Sequence, residues 1–132
     1  MSDYIDFTTA RKTSRVNLVA GWVAGGTLRL YTGTRPASAD DAVTDQTLLV
    51  EFDIPDPSGT VANGVWTGAA VSPAMIAADG TPTWGRYADA SDGDICDADV
   101  GTTGSGAAII VDNANFVEGA MATIVGQTIT EG

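Results

Sequence analysis

Acidic side chains are concentrated in one short segment, which makes metal binding the first chemistry to consider. Five aspartates fall within eleven residues, between positions 89 and 99. Carboxylate oxygens are the ligands that Ca²⁺ prefers, and residues two apart on a strand share a face. A calcium loop starting at Asp92 would place Cys96 at a ligand position and no glutamate at the twelfth. Calcium could therefore bind only to pairs of aspartates on one face of a hairpin. The alternative is a solvated hairpin that binds no metal. The candidate ligands are Asp92, Asp94, Asp97 and Asp99.

Composition argues against catalysis by the familiar nucleophile systems. The chain has no histidine and one cysteine, Cys96, which excludes Ser-His-Asp and Cys-His arrangements, histidine-ligated zinc and an internal disulfide. The glycine-rich segment 101–106 lacks the Lys-Ser/Thr of a phosphate-binding loop. Paired carboxylates are also glycosidase machinery, but nothing marks one acid as proton donor and another as nucleophile. We expect no enzymatic activity and no cofactor.

Charge is unevenly distributed along the chain. Lys+Arg total 6 and Asp+Glu total 17, a formal net charge of −11. Residues 1–35 carry five basic and two acidic side chains, whereas residues 36–132 carry one basic and fifteen acidic side chains. Such an acidic molecule repels nucleic-acid phosphates and anionic membranes, so neither is expected as a partner. The basic leader is suited to docking on an acidic neighbour, with chance placement of solvated charges as the alternative.

Periodicity predicts one helix near the start of the chain, at about residues 8–25. Val16, Val19, Trp22 and Val23 recur at spacings of three and four. Thr8 or Thr9 is a suitable N-cap, and two glycines at positions 25 and 26 can end the helix.

From Thr27 onward, short alternating runs are separated by turn residues, as in a β-sandwich. The clearest half-buried strand is predicted at 48–54, with Leu48, Val50, Phe52 and Ile54 on its inner face. Single strands are predicted at 61–67, 70–77 and 120–130, and hairpin turns at Asp79-Gly80 and Asp92-Gly93. Without helical crossovers between strands, a parallel sheet is not expected. The predicted fold is an antiparallel sandwich of jelly-roll or Greek-key type.

Domain organisation follows from these elements. Residues 1–7 are predicted to form an N-terminal arm, and residues 8–132 a single β-sandwich domain with a leading helix. No apolar run approaches the roughly 20 residues that span a bilayer, and the acidic N-terminus does not resemble a signal peptide. We therefore expect synthesis in a cytoplasm without export.

Several segments resemble small virion proteins of tailed phages and prophages. They are TLRLYTGTRPASADDA at 27–42, DQTLLVEF at 45–52, GTPTWGRYADA at 80–90, DADVG at 97–101 and the closing stretch 119–130. These motifs are structural and contain no catalytic signature. The resemblance implies a virion component, and more narrowly a capsid cement or decoration protein on the outer surface of the head shell.

The resemblance and the charge pattern together predict a docking mode. The expected partner is the major capsid protein, another shell protein or a neighbouring copy, and a homotrimer is expected on a shell with threefold sites. The residues expected to dock are Arg11, Lys12, Arg15 and Trp22. Two alternatives stay open: a tail fibre, baseplate or head-tail module, and a carbohydrate-binding module. The second requires an exposed aromatic platform formed by Trp66, Trp84 or Tyr87.

Overall fold

The computed structural model describes residues 6–130, which form one helix and ten strands. The predicted mainly β, sandwich-like fold with an N-terminal helix is confirmed. The helix is α1 (Thr9–Val23), and the strands are β1 (Thr27–Thr32), β2 (Thr47–Asp53), β3 (Gly59–Ala62), β4 (Val65–Gly68), β5 (Ala74–Met75), β6 (Trp84–Ala88), β7 (Asp94–Gly101), β8 (Ile109–Val111), β9 (Met121–Ala122) and β10 (Ile124–Thr130).

Eight strands form one large sheet in the order β2-β1-β6-β7-β8-β10-β4-β3, and β5 and β9 form a small second sheet. All neighbouring pairs are antiparallel except β7 and β8, which run parallel through Val100↔Ile109 and Gly101↔Ile110. This short parallel pair is the one departure, within the described residues, from the predicted antiparallel arrangement. Only the last two residues of β7 pair with β8. The loop 102–108 therefore has a short distance to span, and it makes this parallel connection without a helical crossover.

Helix α1 begins and ends where its sequence predicts. Thr8 is the N-cap, and its hydroxyl accepts a hydrogen bond from the Arg11 backbone N–H. Gly25 follows the helix with φ of 72°, the left-handed conformation that glycine adopts without strain. Val16 and Val23, two turns apart, are buried in the core.

A β-bulge changes the predicted inner face of β2. Leu30 pairs with Val50 and Tyr31 pairs with Leu48, so Leu49 is the extra residue. Leu49 is fully buried beside Val50, while Leu48 is 39% exposed. The prediction that placed Leu48 inside and Leu49 outside was wrong, because strict alternation fails where two residues oppose one.

Two of the predicted strands are each two shorter strands in the structure, and one of the predicted hairpin turns does not form. The predicted strand 61–67 is two strands joined by Asn63 and Gly64, which have φ of 52° and 76° and form a tight turn. The predicted strand 120–130 is β9 followed by β10, and of 70–77 only β5 is extended. Asp79-Gly80 is not a hairpin turn, since Gly80 forms an isolated bridge with Phe116.

The long connection 33–46 closes the outer face of the large sheet. On that face Tyr31 stacks on Trp84, with ring centroids 4.6 Å apart. The Asp41 backbone carbonyl accepts a hydrogen bond of 2.7 Å from Arg86 Nη1, which ties the connection to the sheet. Trp84 is consequently only 1% exposed and Arg86 4%.

Of the predicted arm, only Asp6 and Phe7 belong to the described residues. The division into an arm at 1–7 and a domain at 8–132 therefore stays a prediction.

Candidate functional site

Three of the four predicted docking residues lie on one exposed face of α1. Arg11, Arg15 and Trp22 are exposed, and Leu18 lies among them with 60% of its surface in solvent. Their spacings of four, three and four place them on one side of the helix. Val16 and Val23 occupy a different side and hold α1 on the sheet. We call Arg11, Arg15, Leu18 and Trp22 the helix stripe.

Phe7 extends the helix stripe at its N-terminal end. The Arg15 guanidinium carbon lies 4.8 Å from the centroid of the Phe7 ring, a cation–π arrangement. Phe7 is itself 47% exposed and Trp22 is 53% exposed. The stripe thus combines guanidinium groups with large apolar side chains, a composition that is typical of residues at the centre of protein interfaces.

Lys12, the fourth predicted docking residue, points away from the stripe. Its ammonium lies 3.5 Å from Asp6, and its Cβ faces Gly64 in the β3–β4 turn. The neighbouring Thr13 hydroxyl accepts a hydrogen bond of 2.8 Å from the Gly64 backbone N–H. Lys12 therefore contributes to the contact between helix and sheet, and the structure does not bring it together with Arg11, Arg15 and Trp22.

The four calcium candidates are divided between several different contacts. Asp97 forms a two-pronged ion pair with Arg86, with distances of 2.6 Å to Nε and 3.0 Å to Nη2. Asp94 lies 3.6 Å from Arg86 Nη1. Asp92 accepts a hydrogen bond of 2.7 Å from Arg29 Nη2, and Asp99 accepts one of 2.9 Å from the Ala108 backbone N–H. Within residues 6–130, no group of three or more acidic or thiol side chains is arranged to hold a metal ion.

Charge pairs form a row across the outer face of the sheet. The register places Glu51 beside Arg29, Arg29 beside Arg86, and Arg86 beside Asp97. The hydrogen bonds that Arg86 donates to Asp97 raise the pKa of its guanidinium, and those that Arg29 donates to Asp92 and Glu51 raise the pKa of Arg29. Asp92 and Asp97 of the β6–β7 hairpin, together with Glu51 of β2, thus pair with two arginines of the sheet, which is a structural role.

The aromatic residues proposed as a sugar platform are buried. Trp66 is 0%, Trp84 1% and Tyr87 1% exposed. Tyr87 donates a hydrogen bond of 2.6 Å to Gln127 inside the core, and burial raises the pKa of its hydroxyl. Because stacking on a sugar needs an accessible ring face, a carbohydrate-binding module built on these residues is excluded.

Cys96 lies on β7, packed against the edge of the core. Burial, with a smaller contribution from the charge of Asp97, raises the pKa of its thiol to about 11. A thiol with so high a pKa is a poor nucleophile at neutral pH.

A second apolar surface was not anticipated from the sequence. Met75 on β5 and Met121 on β9 are directly opposed, and they are 66% and 57% exposed. Val117, 53% exposed, lines a cavity of about 260 Å³ together with Met121 and Asp112. We call Met75, Val117 and Met121 the methionine patch. Because β5 and β9 are only two residues long, their sequences show no alternation of apolar and polar residues. The methionine patch therefore could not be predicted from the sequence pattern.

Three acidic residues lie beside the Val117–Met121 part of the methionine patch. Asp112 lines the same cavity, and Glu118 follows Val117 directly. Asp79 accepts a hydrogen bond of 2.7 Å from the Glu118 backbone N–H, which places its carboxylate beside the turn 117–120. All three acids are exposed. The patch is therefore apolar at its centre and negative at its edge.

Comparisons with known proteins found no matching family model, no matching curated protein and no matching solved structure. In the part of the chain that is described, no helix is long and apolar enough to cross a membrane.

Proposed function

We propose that this protein is a non-enzymatic structural component of a tailed-phage virion, a decoration or cement protein bound to the outside of the head shell. In this role α1 docks the protein on an acidic neighbour within the particle, either the shell protein or an adjacent copy. The acidic body then faces solvent and keeps coated particles apart.

The observation that carries this proposal is the helix stripe. A helix that is anchored to the sheet by Val16 and Val23 nevertheless presents Leu18 and Trp22 to solvent beside two arginines. Because they are one helical turn apart, Leu18 and Trp22 form a contiguous exposed apolar surface, and contiguous apolar patches mark sites of interaction. On a lattice, many such contacts of modest strength act together through high local concentration.

Occupancy of particles tests the role of the stripe. Deleting residues 1–15 is unsuitable, because it removes half of α1 and the Thr13 contact with the β3–β4 turn. The variant Arg11→Ala/Trp22→Ala instead changes two exposed side chains and keeps the helix, since alanine favours helix. We expect virions assembled with this variant to carry at least about tenfold less of the protein, as loss of a tryptophan anchor costs more than 1.4 kcal/mol.

Asn17→Ala is the matched control, because Asn17 is exposed on the same helix but off the stripe. Wild-type occupancy of the double variant would contradict docking through the stripe. The amount of wild-type protein per virion separates head from tail: a copy number comparable to that of the shell protein supports a decoration role, and far fewer copies support a tail fibre, baseplate or head-tail module.

A further inference from the structure

We infer that the partner of the helix stripe is the methionine patch of a second copy of this chain, so that copies associate head to tail. This inference rests on the proposed function, in which the stripe is the docking surface, and it names the partner.

Six of the eight large apolar side chains that are exposed in residues 6–130 belong to these two surfaces. Phe7, Leu18 and Trp22 lie at the helix stripe, and Met75, Val117 and Met121 form the methionine patch. Both surfaces face solvent within one copy. Helix α1 packs on β3, β4 and β6, whereas β5 packs on β2 and β9. Contact between the two surfaces therefore requires a second molecule.

The charges of the two surfaces are complementary. The helix stripe carries Arg11 and Arg15, while the methionine patch is edged by Asp79, Asp112 and Glu118. Opposite charges steer the two surfaces together, and like charges oppose each surface meeting its own kind. A symmetric contact of patch with patch would bring six carboxylates together, which disfavours it.

The side chains of the two surfaces are also of types that interact favourably. Methionine is flexible and polarizable, and its sulfur makes favourable contacts with aromatic rings. Trp22 and Phe7 supply the aromatic rings. Met75 and Met121 lie opposite each other on the paired strands β5 and β9, so both thioethers are available at one contact. Tryptophan and arginine are the residue types that most often carry binding energy at an interface.

A contact between two different surfaces is repeated in the same direction from copy to copy. It closes into a ring where the rotation between copies permits, and a ring of three is the trimer predicted from the sequence. In a decoration layer, such links between copies would join neighbouring parts of the shell.

Two variants, each lacking one surface, test the inference with purified protein and no particle. Arg11→Ala/Trp22→Ala removes one arginine and the tryptophan of the stripe. Glu118→Lys/Met121→Lys places two lysines at the patch, which offset the charges of Asp79 and Asp112. Sedimentation in about 0.1 M salt, which screens the long-range repulsion between copies of net charge −11, should show that the wild type associates and that each variant alone is monomeric. Circular dichroism checks that both variants are folded. An equal mixture should form a one-to-one dimer, because each variant keeps the surface that the other lacks.

Trp22 gives an independent readout, since Trp66 and Trp84 are buried. In the patch variant alone, acrylamide should quench Trp22 fluorescence. Adding the stripe variant, which lacks Trp22, should protect it. Asn17→Ala and Asp40→Lys, exposed positions outside both surfaces, are the controls and should associate as the wild type does.

A wild type that stays monomeric at about 1 mM, or a mixture of variants that forms no dimer, would overturn the inference. Loss of virion occupancy in the stripe variant, together with a monomeric wild type, would place the partner on the shell protein: the proposed function would stand and this inference would fail. Association in solution with unchanged occupancy would support the inference and contradict the proposed function.

Discussion

The Arg86–Asp97 ion pair lies almost entirely out of solvent, with side-chain exposures of 5% and 7%. Arg86 is held by Asp97 and by the Asp41 carbonyl, so it joins β6, β7 and the connection 33–46. If the carboxylate is removed, the buried guanidinium still carries the free-energy cost of desolvation, but it loses the ion pair that offsets this cost.

Asp97→Ala should therefore lower the free energy of unfolding by about 3–5 kcal/mol, as measured by urea denaturation. Glu51→Ala is the matched control, because its carboxylate also pairs with an arginine but is 45% exposed, and its loss should cost under about 1 kcal/mol. Equal losses in the two variants would show that Arg86 does not depend on Asp97.

Residue types alone pointed to part of the exposed side of α1, which we propose as the docking surface. Arg11, Arg15 and Trp22 were predicted from the basic leader and the helical pattern, and they share one side of α1, whereas Lys12, predicted with them, lies near Asp6 and the β3–β4 turn. Leu18 was missed, although it lies seven residues after Arg11 and four before Trp22. Spacing alone did not separate the buried side, Val16 and Val23, from the exposed one, because tertiary contacts decide which side of a helix meets the sheet.

Between elements, one hydroxyl connects the helix to the core. Ser58, 3% exposed, donates a hydrogen bond of 2.8 Å to the Ala20 carbonyl of α1 and accepts one of 3.1 Å from Trp66 Nε1 on β4. The tryptophan is fully buried, and Ser58 is the acceptor of its indole N–H.

Ser58→Ala should lower the free energy of unfolding by about 1–3 kcal/mol, because it leaves a buried indole N–H without an acceptor. Thermal and urea unfolding would measure the loss. Ser72→Ala, at an exposed position, should change stability by less than about 0.5 kcal/mol. An unchanged stability in Ser58→Ala would mean that this contact does not hold α1 on the sheet.

At the level of elements, the sequence predicted those with strong local signals. A threonine cap and a glycine stop located α1, and Asp92-Gly93 located the β6–β7 turn. The β2 bulge escaped prediction because it depends on pairing with β1, and the parallel pair β7–β8 because it depends on where the loop 102–108 returns. Such features arise between segments that are distant in sequence.

Across the whole molecule, the charge division places opposite charges on different surfaces. The two exposed arginines of the helix stripe belong to the basic leader, and the acids around the methionine patch belong to the acidic body. A molecule of net charge −11 repels its own copies at long range, so association requires local complementarity at the contact. In the proposed function, this separation of charge gives docking a direction, from the basic helix stripe to an acidic surface.

A cryo-electron microscopy map of the assembled particle tests the central claim most directly. We expect the outer surface of the head shell to carry this protein, with Leu18 and Trp22 of the helix stripe covered by a neighbouring subunit and most of the acidic body facing solvent. A map in which the protein is absent from the head, or is present with the helix stripe exposed to solvent, would contradict the account.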